Sequence, residues 1–346
     1  MATKKRAAAA LATGSAPKAP TPTVRAQLGA FEFAKAAPAT SPYRILSIDG
    51  GGIRGIIPLA ILEKLDGAQP GWRSGINMFA GTSTGALIAL GLAKGMSPRD
   101  IMDVYIKQGP KVFERSLWHE ITSIGDAVGP KYGSDNREAL CHSILGDARL
   151  KDYLSPDGTK GHVLVAAFNL HDQTKGFWKA KLFHNMPTNN GSDDGTEYAW
   201  RVAMRTSAAP TYFASYDGYV DGGVFANNPA MCALAQTQDP RNVMQIPITS
   251  VRMLSLGTGW YPNFINGEES WGLAQWSTKI IDLIFDGVND VDNFEAVKLL
   301  GTNNCVRLSP EMPTDIALDD TSKLGVLQQI GNQADITDAL NLVSHW

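Results

Sequence analysis

Gly81-Thr82-Ser83-Thr84-Gly85 is the stretch of this chain best suited to covalent chemistry. An apolar run at 76–80 precedes it and another at 86–94 follows, so the serine sits between a strand and a helix. A turn that tight needs residues without side chains at Gly81 and Gly85, and it lifts the serine oxygen into the open. It also sets that oxygen near a helix N-terminus, where developing negative charge is stabilised. A serine nucleophile needs a base. In the order serine, acid, histidine, only His345 of the six histidines follows the late acids, and it is the penultimate residue. A chain end is a poor place for a group that must hold a fixed geometry, which leaves direct activation by a carboxylate.

Two further segments offer the missing parts. Asp49-Gly50-Gly51-Gly52-Ile53-Arg54-Gly55 places successive glycine amides at the mouth of a helix, an anion nest that can serve as an oxyanion hole. The same residues match GxGxxG, but a dinucleotide site wants an acid about 20 residues on at a second strand's end. Glu63 and Asp66 come too early and belong to the helix. Asp221-Gly222-Gly223 sets an acid at the end of a strand, its two glycine neighbours out of the way. Taken alone, it is better read as a simple turn aspartate.

The elements that must position these groups alternate. Strands are expected at 44–48, 76–80, 162–168, 182–184, 219–220 and Val251–Leu256. Helices are expected at 56–65, 86–94, 101–108 and Ala199–Thr206. The 86–94 helix is nearly all apolar and should be buried, with Gly95 as its stop and Ser97-Pro98 capping the next helix. Several strands end in glycine-rich turns, which indicates an α/β sheet with its ligand beyond the strands' carboxyl ends.

Bulk properties bound the rest. The 346 residues carry a net charge of −3, which gives no whole-chain sign of nucleic-acid binding. Cys141, Cys232 and Cys305 are too few and scattered for a disulfide framework or a zinc site and fit a reducing, cytoplasmic setting. No apolar run reaches the roughly 18 residues of a membrane span, so contact with lipid is expected to be peripheral. Residues 1–42 are rich in Ala, Pro, Thr and Lys and read as a disordered basic tail before a single domain at 43–346. A transit peptide or an electrostatic tether through Lys4, Lys5 and Arg6 are the other readings of that tail.

Together these segments resemble the patatin-like phospholipase family. DGGGIRG at 49–55, GTSTG at 81–85 and DGG at 221–223 are similar to its oxyanion, nucleophile and acid motifs, in its order. The stretches at 206–213, 226–229 and 254–259 also fit. The resemblance implies a three-layer α/β fold with a mostly parallel central sheet between helices. It implies a Ser83–Asp221 dyad and an oxyanion hole over Gly50, Gly51 and Gly52, the last two giving their amides while Gly50 shapes the turn. Gly81, Gly85, Gly222 and Gly223 would support the motifs. Arg54 would steady the loop or a lipid phosphate, or pair with a nearby Asp. No metal or cofactor is implied. The expected substrate is a phospholipid or other acyl ester at a membrane surface. A phospholipase switched on by a cyclic nucleotide and a broad carboxylesterase without phospholipid preference are the alternatives.

Substrate access is the least determined feature. Phe113, Leu117, Trp118, Ile121 and Ile124 recur at helical spacing and read as a buried face or as a mobile apolar cap. Trp260, Tyr261 and Phe264 are a second set of candidate interfacial aromatics. The acidic run Asp286, Asp290, Asp292 and Glu295 lacks EF-hand spacing and reads as helix capping and a solvated face.

Overall fold

In the computed structural model, which describes residues 41–114, 129–172, 176–191, 193–263, 272, 276 and 279–346, the predicted strands form nearly where expected. They are Tyr43–Ile48 (β1), Met78–Thr82 (β2), His162–Asn169 (β3), Lys179–His184 (β4), Tyr219–Asp221 (β5) and Val251–Leu256 (β6). A strand not read from the sequence, Cys305–Leu308 (β7), completes a seven-stranded sheet in the order β4-β3-β2-β1-β6-β7, with β5 also pairing β3. β1 pairs β2 and β6 in parallel, β3 joins β2 in parallel, and β7 joins β6 likewise. Only β4 and β5 run antiparallel, both against β3.

Buried positions alternate between the sheet's two faces, as the period of two requires. Val163, Val165 and Ala167 of β3 join one apolar cluster and Leu164 joins the other. Helices Ile56–Ala68 (α1), Thr84–Ala93 (α2), Pro98–Val112 (α3) and Asp135–Leu145 (α4) contribute to the first cluster, and so does Ala199–Thr206 (α5). After the short helix Gly223–Ala226 (α6), Ala230–Thr237 (α7) and the C-terminal part of Ile280–Leu300 (α8) cover the second. Leu324–Gln333 (α9) and Thr337–Ser344 (α10) return to the first. The result is a three-layer α/β architecture.

α2 is as buried as its composition requires, with every residue from Thr84 to Leu92 inside. Gly95 follows it with φ 97°, in the left-handed region. Ser97 accepts a bond from the Asp100 N–H at 3.1 Å and starts α3, which continues past the predicted 108 to Val112 with Pro110 in its last turn. α4 escaped the sequence reading because Asn136, Arg137, Glu138 and His142 interrupt its apolar spacing. β7 escaped because four residues are too short a run to declare a period.

Among the described residues no helix is long and apolar enough to cross a membrane. The proposed tail falls almost wholly outside the described residues, as do Leu117, Trp118, Ile121, Ile124 and Phe264. Phe113 packs edge-on against Tyr132 at 5.4 Å and tilts against Phe213 at 5.8 Å. Of the second aromatic set, Trp260 is exposed and Tyr261 packs partly buried on the core. In the acidic run, Asp286, Asp290 and Glu295 are exposed while Asp292 is half-buried, and burial pushes its carboxyl up to about 7.

Candidate active site

The sheet brings Ser83 and Asp221 together by a simple device. β2 ends at Thr82, which lies opposite Ala166 of β3. β5 arrives from the other direction along the same side of β3 and ends at Asp221, opposite Ala167. Two strands thus approach end to end in one lane, and the residues at their tips meet. The backbone of each tip is tied down within a single tripeptide. Thr206 Oγ1 accepts the Ser83 N–H at 2.9 Å, and Ala208 O accepts the Asp221 N–H at 3.0 Å.

Ser83 sits at φ 53°, ψ −123°, a strained conformation for a residue with a side chain. Its carbonyl accepts from Ala86 at 3.0 Å, so the strain is held by the first turn of α2. Gly81 and Gly85 make the turn possible by proximity. A Cβ on Gly81 would lie 2.4 Å from Ala86 Cα, and one on Gly85 would lie 2.2 Å from Ile48 O.

Asp221 is fully buried. Its Oδ1 accepts the Gly223 N–H at 2.8 Å, which fixes the carboxylate's direction. Gly222 fits because a Cβ there would strike Ala166 O at 2.2 Å. Burial pushes the Asp221 carboxyl up to about 6, against smaller lowering by the Ser83 hydroxyl, the Gly223 N–H and the charge of Arg137. The Ser83 hydroxyl is therefore close by, yet Oδ2 makes no closed hydrogen bond. The contact is an open one, as often found before substrate draws such a pair together.

The glycine nest lies alongside. Gly51 and Gly52 line the same cavity as Ser83 and Asp221, and among the described residues no acceptor takes either amide hydrogen. Gly52 has φ 56°, and a Cβ on it would lie 2.3 Å from Leu318 O. The Gly50 amide is different: it donates to Asn227 O at 3.0 Å, so it is not free for an oxyanion and acts only on the shape of the turn. The nest is backed by Thr258, whose hydroxyl donates to Gly50 O at 2.8 Å. At its root Asp49 forms a buried bidentate pair with Arg307 of β7, at 2.8 Å and 2.5 Å. Arg307 was not singled out from sequence. The signal available was an arginine inside a short apolar strand, a position that demands a buried partner.

Arg54 is partly buried and its Nε makes no hydrogen bond. Burial lowers its pKa, while the charges of Asp286, Asp282 and Asp315 act the other way. None of the described histidines lines the Ser83 cavity. His345, exposed just past the last helix, bonds instead to Asn341 O at 2.8 Å, and His119 lies outside the described residues. Most of the remaining cavity wall is apolar, with Leu87, Val112, Phe213, Phe285 and Leu318 among its residues, and Arg137 and Tyr105 are polar exceptions.

Comparison with known proteins agrees with the motifs. The family described as patatin-like phospholipase matches residues 46–234, more than half of the chain. Patatin-like protein 2 of Arabidopsis thaliana is 29% identical over 297 residues, covering 72% of this chain and 70% of the relative. Protein teg of Priestia megaterium is 27% identical over 337 residues, covering 88% of this chain and 99% of the relative. The cGAMP-activated phospholipase of Vibrio cholerae is 28% identical over 315 residues, covering 81% and 86%. With its motifs in order on a mostly parallel sheet between two layers of helices, the chain belongs to the patatin-like phospholipase family.

Proposed function

We propose that this protein is a serine lipid acyl hydrolase working through a Ser83–Asp221 dyad. The observation that carries the reading is the buried, unpaired Oδ2 of Asp221 beside a strained serine in an apolar cavity. In the first step Ser83 Oγ attacks the ester carbonyl carbon as Asp221 takes the hydroxyl proton. The Gly51 and Gly52 amides donate to the tetrahedral oxyanion, which collapses to an acyl-serine as the alcohol leaves with a proton returned by Asp221. Water then attacks the acyl carbon, again giving its proton to Asp221, which passes it to Ser83 Oγ as the fatty acid leaves. The apolar cavity suits an acyl chain. Arg54, beside the nest, is the group proposed to steady the loop or meet a lipid phosphate.

A membrane surface is the proposed place of work. Phe177 and Trp178 are 50% and 69% exposed. They follow the carboxyl end of β3, the same end of the sheet that bears Ser83. Aromatic residues in that position suit the lipid interface. Hydrolysis of phospholipid vesicles by the wild type and none by Ser83→Ala is the expected result. Equal turnover of a short-chain nitrophenyl ester by pure, folded Ser83→Ala would sink the assignment. Hydrolysis of soluble esters with vesicles untouched would favour a general carboxylesterase.

The Vibrio cholerae relative supports a second reading, in which a cyclic nucleotide activates the enzyme. Vesicle hydrolysis that appears only after a cyclic dinucleotide is added would select it.

A further inference from the structure

Arg137 lies in the first turn of α4 and is 3% exposed. It shares a helical stripe with Leu140, Cys141 and Ile144, all buried, so the face that packs α4 inward carries a guanidinium with it. Arg137 Nη1 donates to Ser207 O at 2.5 Å, and the guanidinium carbon lies 4.4 Å from the centroid of Phe213. Nε and Nη2 are buried and have no hydrogen-bond partner. Burial lowers the group's pKa to about 10, which leaves it charged at neutral pH.

An unpaired buried cation costs several kcal/mol, so its opposite charge matters. Arg137 lines the cavity that Ser83 and Asp221 line. Its anchor, Ser207, is the middle residue of the tripeptide that holds both dyad backbones. Cys141, Asp221 and Tyr216 are the titratable groups facing it, with Glu138 close to the thiol and the phenol. Burial pushes the Cys141 thiol up to about 12 and raises the Tyr216 phenol, so both stay neutral near pH 7. Asp221 is faced in turn by the Ser83 hydroxyl, the Gly223 N–H and Arg137. Two opposite charges thus line one cavity, each with an unpaired atom.

We propose that Arg137 is a positioning residue for hydrolysis: its unpaired charge holds Asp221 as the carboxylate that must take the Ser83 proton. The inference rests on the dyad reading above. The tuning has two sides. A nearby cation keeps the base ionised at lower pH and makes it a weaker base once ionised.

The test is the rate at which a fluorophosphonate probe labels Ser83, measured from pH 4.5 to 8.5 in Arg137→Met, Arg137→Gln and Arg137→Lys. Arg137→Gln retains a donor for Ser207 O and guards against loss of fold in Arg137→Met. Both neutral variants are expected to move the acid limb upward by about 0.5–1 pH unit, while Arg137→Lys leaves it within about 0.2. A limb that stays at the wild-type pH in a folded neutral variant overturns the proposal, whatever happens to the plateau rate. A higher KM for vesicles with an unmoved limb would make Arg137 a substrate contact instead, and also overturns it. If wild type is not labelled, or Ser83→Ala is, the dyad itself has failed rather than the role of Arg137.

Discussion

Asp221→Asn is expected to make the protein more stable while disabling it, by an amount that depends on pH. The folded-state pKa of about 6 lies above the value of 3.8 for an unburied Asp. A carboxyl with a raised folded-state pKa binds its proton more tightly in the folded chain, so its ionisation opposes folding as pH rises. The penalty begins near the unfolded pKa, grows until the folded pKa is passed, and is constant above it. It amounts to about 1 kcal/mol at pH 4.5 and about 3 kcal/mol at pH 7.5. Asn retains an acceptor for the Gly223 N–H, so the substitution removes the charge and leaves that bond. Urea unfolding of both proteins at the two pH values reads the difference directly. The gap between variant and wild type should widen by about 2 kcal/mol across that range. A gap that stays constant would refute the reasoning, even if Asp221→Asn were more stable throughout, because a fixed offset is packing and not titration.

Other outcomes follow from the same geometry. Arg307→Met leaves Asp49 buried and uncompensated and should cost about 3–5 kcal/mol in urea unfolding. Adding Asp49→Asn should recover part of that loss, and a double variant no more stable than the single one would place the damage elsewhere. Gly51→Ala puts a Cβ 2.2 Å from Thr258 Oγ1, and should lower kcat about 100-fold or more while far-ultraviolet dichroism is unchanged. Trp178→Ala should weaken vesicle binding about tenfold in a sedimentation assay and leave the rate on a soluble ester unaltered.

What was legible in the sequence was what short-range chemistry dictates. The strand, tight turn and helix around Ser83 follow from glycines flanking a serine between apolar runs, and α2 is as buried as its residues demand. An α/β sheet could be read from alternating patterns and strand-end glycines, and its three layers followed from the family resemblance. Gly50 shows the limit of motif reading. Three glycines in a row look equivalent; the family resemblance set Gly50 apart as a turn former, and the fold supplies the reason by delivering the carbonyl of Asn227 to its amide. Arg307 and Arg137 were hidden for a related reason. Each is a charged residue in an element whose register was not assigned, and its importance lies in a partner brought from far away in the chain. The end-to-end meeting of β2 and β5 along β3 is a tertiary fact that neither strand announces.

That meeting also orders events during synthesis. The proposed nucleophile emerges early, at residue 83, and its proposed base only when β5 has been made and has docked antiparallel on β3. A nascent chain carrying Ser83 but not yet Asp221 has a serine with no proton acceptor and only half of the tripeptide's tether in use. Under the proposed mechanism, chemistry therefore waits on the docking of β5 against β3, and a chain made only as far as β4 lacks its base.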